Sequence, residues 1–162
     1  SFNTIVNNTS GCTVNPNSYT YYSSMNTTVI PGNTYNMSMQ AGAQWSQGFG
    51  VWIDYNQDGD FNDVGEFVYA SPSAAITVFN TTVVIPMSAL PGTTRLRVLC
   101  TYASTVTATQ SCFPTFTFGE CEDYDILISG PQSNFSYSWT PAANVSNPNI
   151  ANPIATLVFK IH

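Results

Sequence analysis

Apolar and polar residues alternate with a period of two along most of this chain, in seven short runs separated by turn-forming residues. This period turns successive side chains to opposite faces, which is typical of β-strands and not of helices. Pairs such as Pro31-Gly32 and Pro91-Gly92 favour turns between the runs. The predicted strands are residues 27–30, 34–40, 48–55, 66–70, 77–85, 94–102 and 124–129. Seven such strands predict an all-β fold, an antiparallel β-sandwich with a jelly-roll or an immunoglobulin-like strand order.

The charged residues are few and unevenly placed. Only 7% of the 162 residues are charged, and the net charge is −6 with three basic residues. So few basic residues argue against nucleic acid as a partner. No apolar run has the length of a membrane-spanning helix, so we do not expect membrane insertion. Abundant Asn, Ser and Thr with few charges indicate an extracellular or cell-surface protein.

All nine carboxylates fall in two short patches. The first patch occupies residues 54–66 and the second residues 120–125. In the first patch, oxygen-bearing side chains alternate around Gly59, in the order that loops binding a hard divalent cation use. We therefore predict a Ca²⁺ site there, because Zn²⁺ and Cu²⁺ prefer His or Cys ligands. The predicted ligands in this patch are Asp54, Asn56, Asp58, Asp60, Asp63 and Glu66.

Two features distinguish this loop from an EF-hand. Counting from Asp54, the twelfth position is Gly65, so Glu66 comes one residue late. The flanking residues are also strand-like, which favours a calcium-binding turn between two strands. The alternative is a turn in which Asp and Asn side chains bond to their own backbone and bind no ion. Five carboxylates within thirteen residues repel one another, which favours the calcium interpretation.

Four cysteines, Cys12, Cys100, Cys112 and Cys121, allow three disulfide pairings. They lack the spacing of a zinc or redox motif, so structural disulfides are the favoured interpretation. Residues 94–102 and 119–128 would form a hairpin in which Cys100 lies near Cys121. We therefore predict the pairs Cys100–Cys121 and Cys12–Cys112.

Three motifs in order resemble the GEVED domain of large secreted bacterial proteins. They are WIDYNQDGDFNDVGE at residues 52–66, PGTTRLRV at 91–98 and GECEDY at 119–124. The opening segments NTSGC (8–12) and GNTY (32–35) are also similar to the family, so the resemblance covers residues 1–129. It implies an all-β accessory module of cell-surface or secreted proteins, commonly in Bacteroidota and often exported by the type IX route. The family motif has Val where this chain has Cys121, and this departure supports the Cys100–Cys121 pair.

The resemblance also suggests a role for the second acidic patch. Glu120, Glu122 or Asp123 would fold against the first patch and add ligands to the ion, so that metal binding stabilises the fold. The alternative is that Arg95 and Arg97 form ion pairs with these carboxylates.

Residues 130–162 contain no acid and differ from the preceding part. Residues 135–154 are similar to the start of PKD-like, immunoglobulin-type repeats of surface adhesins. This length is too short to close a sandwich, so we predict a linker, a partial PKD-like segment or an extended β-rich tail. The tail could instead donate a strand to a neighbouring subunit of a filament.

Catalysis is not expected. The single histidine is His162, so a nucleophile–histidine pair has no plausible setting. A cation beside Asp54 and Glu122 would keep both carboxylates ionised. Neither could then have the raised pKa that a general acid requires. The predicted function is a non-catalytic, calcium-binding structural or adhesion module whose partners are neighbouring domains or subunits of the same surface protein.

An alternative function is glycan binding through exposed aromatic rings. Trp45, Tyr21 and Tyr22 are the candidate contacts, and core or edge packing is the competing explanation for each. A coplanar pair of exposed rings would favour this alternative.

Overall fold

The computed structural model describes residues 1–8, 10, 18–111 and 118–130 and, near the C-terminus, residues 138–140, 142–146, 148–149 and 154–155. Two compact units divide the chain, Ser1–Pro131 and Gln132–His162. The first unit contains seven β-strands. They are β1 (Tyr19–Val29), β2 (Thr34–Met39), β3 (Gln47–Ile53), β4 (Phe67–Ala70), β5 (Phe79–Val84), β6 (Gly92–Tyr102) and β7 (Gly119–Ile128).

The strands form two sheets, as the alternating pattern predicts. One sheet has five strands in the order β1-β7-β6-β3-β4, and the other pairs β2 with β5. The described part of the chain otherwise holds only single-turn 3₁₀ helices, at Ala108–Gln110 and Ala142–Asn144. The prediction of an all-β sandwich is therefore confirmed.

The main core lies between the two sheets. The five-stranded sheet contributes Val51, Ile53 and Ile126, and the two-stranded sheet contributes Met37 and Val83. All five side chains are buried, so apolar surface holds the two sheets together.

One strand pairing departs from an antiparallel sandwich. β1 lies parallel to β7, with a bulge between Tyr22 and Asn26, whereas the other described strand pairs are antiparallel. Parallel pairing is possible because β1 and β7 are far apart in the chain and need no tight turn. β1 is also much longer than the predicted 27–30, because its first residues are mostly Tyr, Ser and Thr and give no apolar alternation.

The predicted Cys100–Cys121 disulfide is wrong. β6 and β7 do form the expected antiparallel pair, but Cys121 lies opposite Leu99, and Cys100 lies opposite Glu120. The register is therefore one residue away from a direct cysteine pair, and the two side chains point to opposite faces of the sheet. Cys100 joins the main core, Cys121 joins a second cluster on the outer face, and neither is in a disulfide. The Cys12–Cys112 pair lies outside the described residues.

Residues 103–111, in the described part of the connection after β6, cover the outer face of the five-stranded sheet. Val106 packs there with Trp52, Leu99 and Cys121. The indole nitrogen of Trp52 donates a hydrogen bond to the Ala108 carbonyl at 3.2 Å. A second, smaller core is thus formed on the side of the sheet away from β2 and β5.

In the C-terminal unit, the described residues contact one another locally. The Trp139 amide donates to the Pro148 carbonyl at 3.0 Å, and Val145 forms an antiparallel bridge with Ala155. The PKD-like resemblance and the strand-donating role of this segment stay predictions.

Glycines in β3 permit the close approach of the covering connection. A Cβ on Gly48 would overlap the backbone carbonyl of Ser104. We expect Gly48→Ala to lower the free energy of unfolding by about 2 kcal/mol or more, because backbone must move. Gly42→Ala is the matched control, since no atom lies within 4 Å of its Cβ position, and it should change stability by about 0.5 kcal/mol or less. Urea unfolding of both variants tests this, and equal stabilities would contradict it.

Candidate functional site

The acidic loop, residues 54–66, connects β3 to β4. Its two ends are fixed to the sandwich: the Asp54 amide donates to the Arg95 carbonyl at 3.1 Å, and the Ile53 amide donates to the Glu66 carbonyl at 2.9 Å. The Thr94 hydroxyl also donates to the Asp54 carbonyl at 2.5 Å. The loop therefore begins and ends at fixed points on the five-stranded sheet.

Carboxylate and amide oxygens within the loop accept hydrogen bonds from its own backbone. Asn56 Oδ1 accepts from the Asp58 amide at 3.1 Å, and Asp58 Oδ1 accepts from the Asp60 amide at 3.1 Å. Asp60 Oδ1 continues the series with the Asn62 amide at 2.8 Å. These are the local Asx turns that the sequence offered as the alternative, and they set the curvature of the loop.

The same curvature brings three carboxylates together. One oxygen each of Asp58, Asp60 and Asp63 lies within 4.8 Å of the others. The Asn56 side-chain amide donates to Asp58 Oδ2 at 2.9 Å and to Asp63 Oδ2 at 2.7 Å, so its dipole offsets part of their repulsion. Hydrogen bonds from the Asp60 backbone and from Asn56 lower the pKa of Asp58, which favours its charged form.

Asp54 and Glu66, the first and last of the predicted ligands in the acidic loop, are both buried. The Asp54 carboxylate accepts from the amides of Gln57 at 2.6 Å and Gly59 at 3.2 Å. Glu66 Oε1 accepts from the Tyr55 amide at 2.9 Å, whereas Glu66 Oε2 is buried with no hydrogen-bond partner. Burial raises the pKa of Glu66, so this side chain carries an electrostatic cost as it stands.

The second acidic patch is divided between the two faces of β7. Asp123 is directed to the outer face, where it lines an open groove of about 670 Å³ together with Asp54 and Arg95. Glu120 and Glu122 are directed to the inner face and line a separate cavity of about 480 Å³ between the sheets. The structure therefore brings Asp123 toward the acidic loop but places Glu120 and Glu122 on the other side of the sheet.

Asp123 is held by Arg97 in a buried ion pair. Arg97 Nε and Nη2 donate to the two Asp123 carboxylate oxygens at 2.7 and 2.8 Å. The Tyr19 hydroxyl adds a third hydrogen bond at 3.0 Å, and Arg97 Nη1 donates to the Ser111 carbonyl at 2.5 Å. Burial disfavours the charge of Arg97, but the bonded carboxylate outweighs this effect and raises its pKa. For Asp123, the structure thus shows the alternative that the sequence offered, an ion pair with an arginine.

Arg95 makes looser contacts on the same face. Its nitrogens lie 3.6 Å from oxygens of Asp123 and Asp125, and its guanidinium lies 3.9 Å from the centre of the Tyr21 ring. The Tyr21 hydroxyl donates to Asp125 at 2.6 Å. One face of the Tyr21 ring, a candidate glycan contact, is therefore covered by the Arg95 guanidinium.

The other candidate aromatics do not form a flat platform. Trp45 is 59% exposed and lies against Tyr102 with an interplanar angle of 79°. Tyr22 does stack on Tyr124, at 16°, but Tyr124 is buried. Among the described residues these contacts offer no coplanar exposed pair, and glycan binding stays a prediction.

The comparison with family models assigns the domain. The structure is that of an all-β sandwich module whose acidic residues lie on one loop and one strand. Residues 48–127 match the GEVED domain, so the chain contains a GEVED domain and the predicted resemblance is confirmed. All three motifs that carried the prediction lie within the matched residues. GEVED is a small non-catalytic domain family found in bacterial surface or secreted proteins.

The other comparisons add little. No curated protein matches the chain. A solved structure of a family 123 glycoside hydrolase from Clostridium perfringens, described for glycolipid glycan hydrolysis, is similar at 10% identity with a TM-score of 0.34. The alignment covers 68% of this chain and 23% of the hydrolase, so it does not bear on function. Among the described residues, no helix is long and apolar enough to cross a membrane.

The cavity between the sheets was not predicted from the sequence. Its signal was nevertheless present, because Glu120 and Glu122 are two residues apart on a strand and must share a face. Burial and the neighbouring Glu122 raise the pKa of Glu120 to about 7.

Removal of one partner of the buried ion pair should be costly. We expect Arg97→Ala to lower the free energy of unfolding by about 3–5 kcal/mol, because it leaves Asp123 charged and buried at 2% exposure. Arg95→Ala is the matched control on the same strand and face, and it should cost about 1 kcal/mol or less. Denaturant unfolding measures both, and similar losses would show that Asp123 does not depend on Arg97.

The raised pKa of Glu120 predicts a pH-dependent stability. The folded state holds this proton more tightly than the unfolded state, so the carboxyl's stabilising contribution is lost as pH rises from about 4.5 to about 7. We expect Glu120→Gln to raise the melting temperature by a few degrees at pH 8 and by much less at pH 4. Thermal unfolding of both proteins at the two pH values checks this, and a shift that is the same at both would rule out titration of Glu120 as its cause.

Proposed function

We propose that this chain is a non-catalytic module of a bacterial surface or secreted protein and that Ca²⁺ bound at the acidic loop stabilises it. The observation that carries the proposal is the convergence of Asp58, Asp60 and Asp63 within 4.8 Å. Like charges at this distance repel one another, and a cation bound among the three carboxylates would relieve that repulsion.

The donor set of the loop suits a hard cation. Ca²⁺ takes six to eight oxygen ligands, and residues 54–66 supply carboxylate, amide and carbonyl oxygens but no His or Cys. The buried Glu66 Oε2 atom, which has no hydrogen-bond partner, adds support because an ion would supply a countercharge nearby. Asp54, Asn56 and Glu66 would hold the loop backbone in place around the three converging carboxylates.

The Asx turns and an ion are compatible with each other. The backbone bonds use one oxygen of Asp58 and one of Asp60, and each carboxylate has further lone pairs for a ligand role. The Asn56 amide nitrogen now contacts Asp58 and Asp63, and Ca²⁺ would take over this neutralising role. Because the loop joins β3 to β4, ion binding would stabilise the edge of the five-stranded sheet.

The proposed role in the parent protein is mechanical. A calcium-stabilised sandwich resists unfolding while it spaces or presents neighbouring domains of an extracellular chain. We propose neighbouring domains or subunits of the same surface protein as its partners, consistent with the family's occurrence in bacterial surface or secreted proteins.

The test is thermal unfolding with chelator and with added metal. At a Ca²⁺ concentration 100 times the Kd, binding adds about 2.7 kcal/mol, which corresponds to a rise on the order of 5–10 °C. We expect Ca²⁺ to restore the melting temperature after chelation and Mg²⁺ to restore much less of it. The double variant Asp58→Asn, Asp63→Asn should lose the response.

Asp125→Asn is the matched control, because it removes an acid from the outer face of β7 outside the loop. It should keep the full calcium response. A wild-type protein whose melting temperature is the same with chelator and with Ca²⁺ would contradict the proposal and assign the loop to Asx turns alone.

A further inference from the structure

A cavity between the two sheets lies apart from the acidic loop and has no role in the proposal above. It measures about 480 Å³ and opens between the end of β2 and the inner face of β6 and β7. Its apolar wall includes Met37, Met39, Phe49, Leu96 and Val98. Polar residues line the rest of it, so the cavity offers both an apolar wall and polar groups to a ligand.

Two carboxylates carry the negative charge of its polar wall, which also includes Asn7, Ser38 and Gln40. Glu120 and Glu122 lie on the same face of β7, about 6.7 Å apart along the strand. Glu122 Oε2 accepts a hydrogen bond from the Tyr124 hydroxyl at 2.6 Å. Glu122 Oε1, by contrast, is buried and has no hydrogen-bond partner. A buried carboxylate oxygen without a donor is costly, so its position calls for a donor that the described residues do not supply.

No basic side chain among the described residues reaches this pair. Arg95 and Arg97 are directed to the opposite face of the sheet, where Asp123 and Asp125 hold them. The Ser1 amine donates to the Ser38 carbonyl at 2.5 Å and interacts with Glu122 through its charge, but it makes no hydrogen bond to Glu122 Oε1. Burial and the neighbouring Glu122 raise the pKa of Glu120, so a positive charge placed between the two carboxylates would be stabilised.

We infer that this cavity binds an aliphatic primary ammonium, the chemistry of a lysine side chain, with its stem on the apolar wall and its charge between Glu120 and Glu122. A compact ammonium has three donors and can reach both carboxylates, whereas a guanidinium prefers two parallel bonds to one carboxylate. A divalent metal would need six or more oxygens around it, so the titration below also tests Ca²⁺ as the competing occupant. The ammonium could belong to a lysine of a partner protein or to a free diamine.

Calorimetric titration in the presence of chelator tests this site separately from the calcium proposal. The probes are N-acetyl-lysine methylamide, 1,5-diaminopentane and N-acetyl-norleucine methylamide, which has an aliphatic side chain but no charge. We expect the two amines to bind and the norleucine compound not to bind. Tighter binding of the lysine compound assigns the site to a protein partner, and tighter binding of the diamine assigns it to a polyamine.

Variants establish the location. Glu122→Gln should weaken amine binding by about tenfold or more, and Glu120→Gln should weaken it similarly, because each removes one charge next to the ammonium. Asp125→Asn removes a charge from the same strand but the opposite face, and it should leave the affinity unchanged. Circular dichroism and thermal unfolding confirm that each variant is folded.

Four results would overturn the inference. The first three are the absence of binding by either amine at millimolar concentration, equal binding by the norleucine compound, and an affinity that Glu122→Gln leaves unchanged. The fourth is that Ca²⁺ displaces the amines and that Glu122→Gln also lowers the Ca²⁺ affinity. This result would assign the cavity to a metal.

Discussion

The buried pair between Arg97 and Asp123 fixes the arrangement of four segments. Arg97 lies on β6 and Asp123 on β7, while the Tyr19 hydroxyl from β1 and the Ser111 carbonyl from the covering connection complete their hydrogen bonds. A buried ion pair adds little net stability over apolar packing, but a slipped register would leave either charge buried alone at large cost. The pair therefore selects one register for β6 and β7 over its neighbours.

That register also determines the face of the sheet on which the other acids of β7 lie. With Asp123 on the outer face, alternation along β7 turns Glu120 and Glu122 inward, into the cavity between the sheets. It also turns Cys121 outward and Cys100 inward, which separates the two thiols. A single charged pair thus accounts for the absent Cys100–Cys121 bond and for the carboxylates that face the main core.

Sequence reasoning predicts what depends on local pattern. Each of the seven strands overlaps a predicted alternating run, and the acidic loop falls between β3 and β4 as its turn residues indicate. The pairing of distant strands could not be predicted from the alternation. Registers two residues apart give the same pattern, and the pattern does not identify the partner strand. The first half of β1 was missed for a related reason, since Tyr21 and its neighbours pair with β7 through the backbone and Asp125 without an apolar pattern.

The two acidic sites differ in how the chain offsets their charge. In the acidic loop, Asp58 receives hydrogen bonds from a backbone amide and from Asn56, so its carboxylate is stable as an anion and accessible to an ion from solvent. In the cavity, Glu122 receives one hydroxyl and Glu120 is held partly protonated near neutral pH by burial. A small hydrated cation would find prearranged oxygens in the loop, whereas in the cavity a proton on Glu120 already offsets part of the charge. The two acidic sites therefore differ in solvation, and the two proposals assign them different cations for that reason.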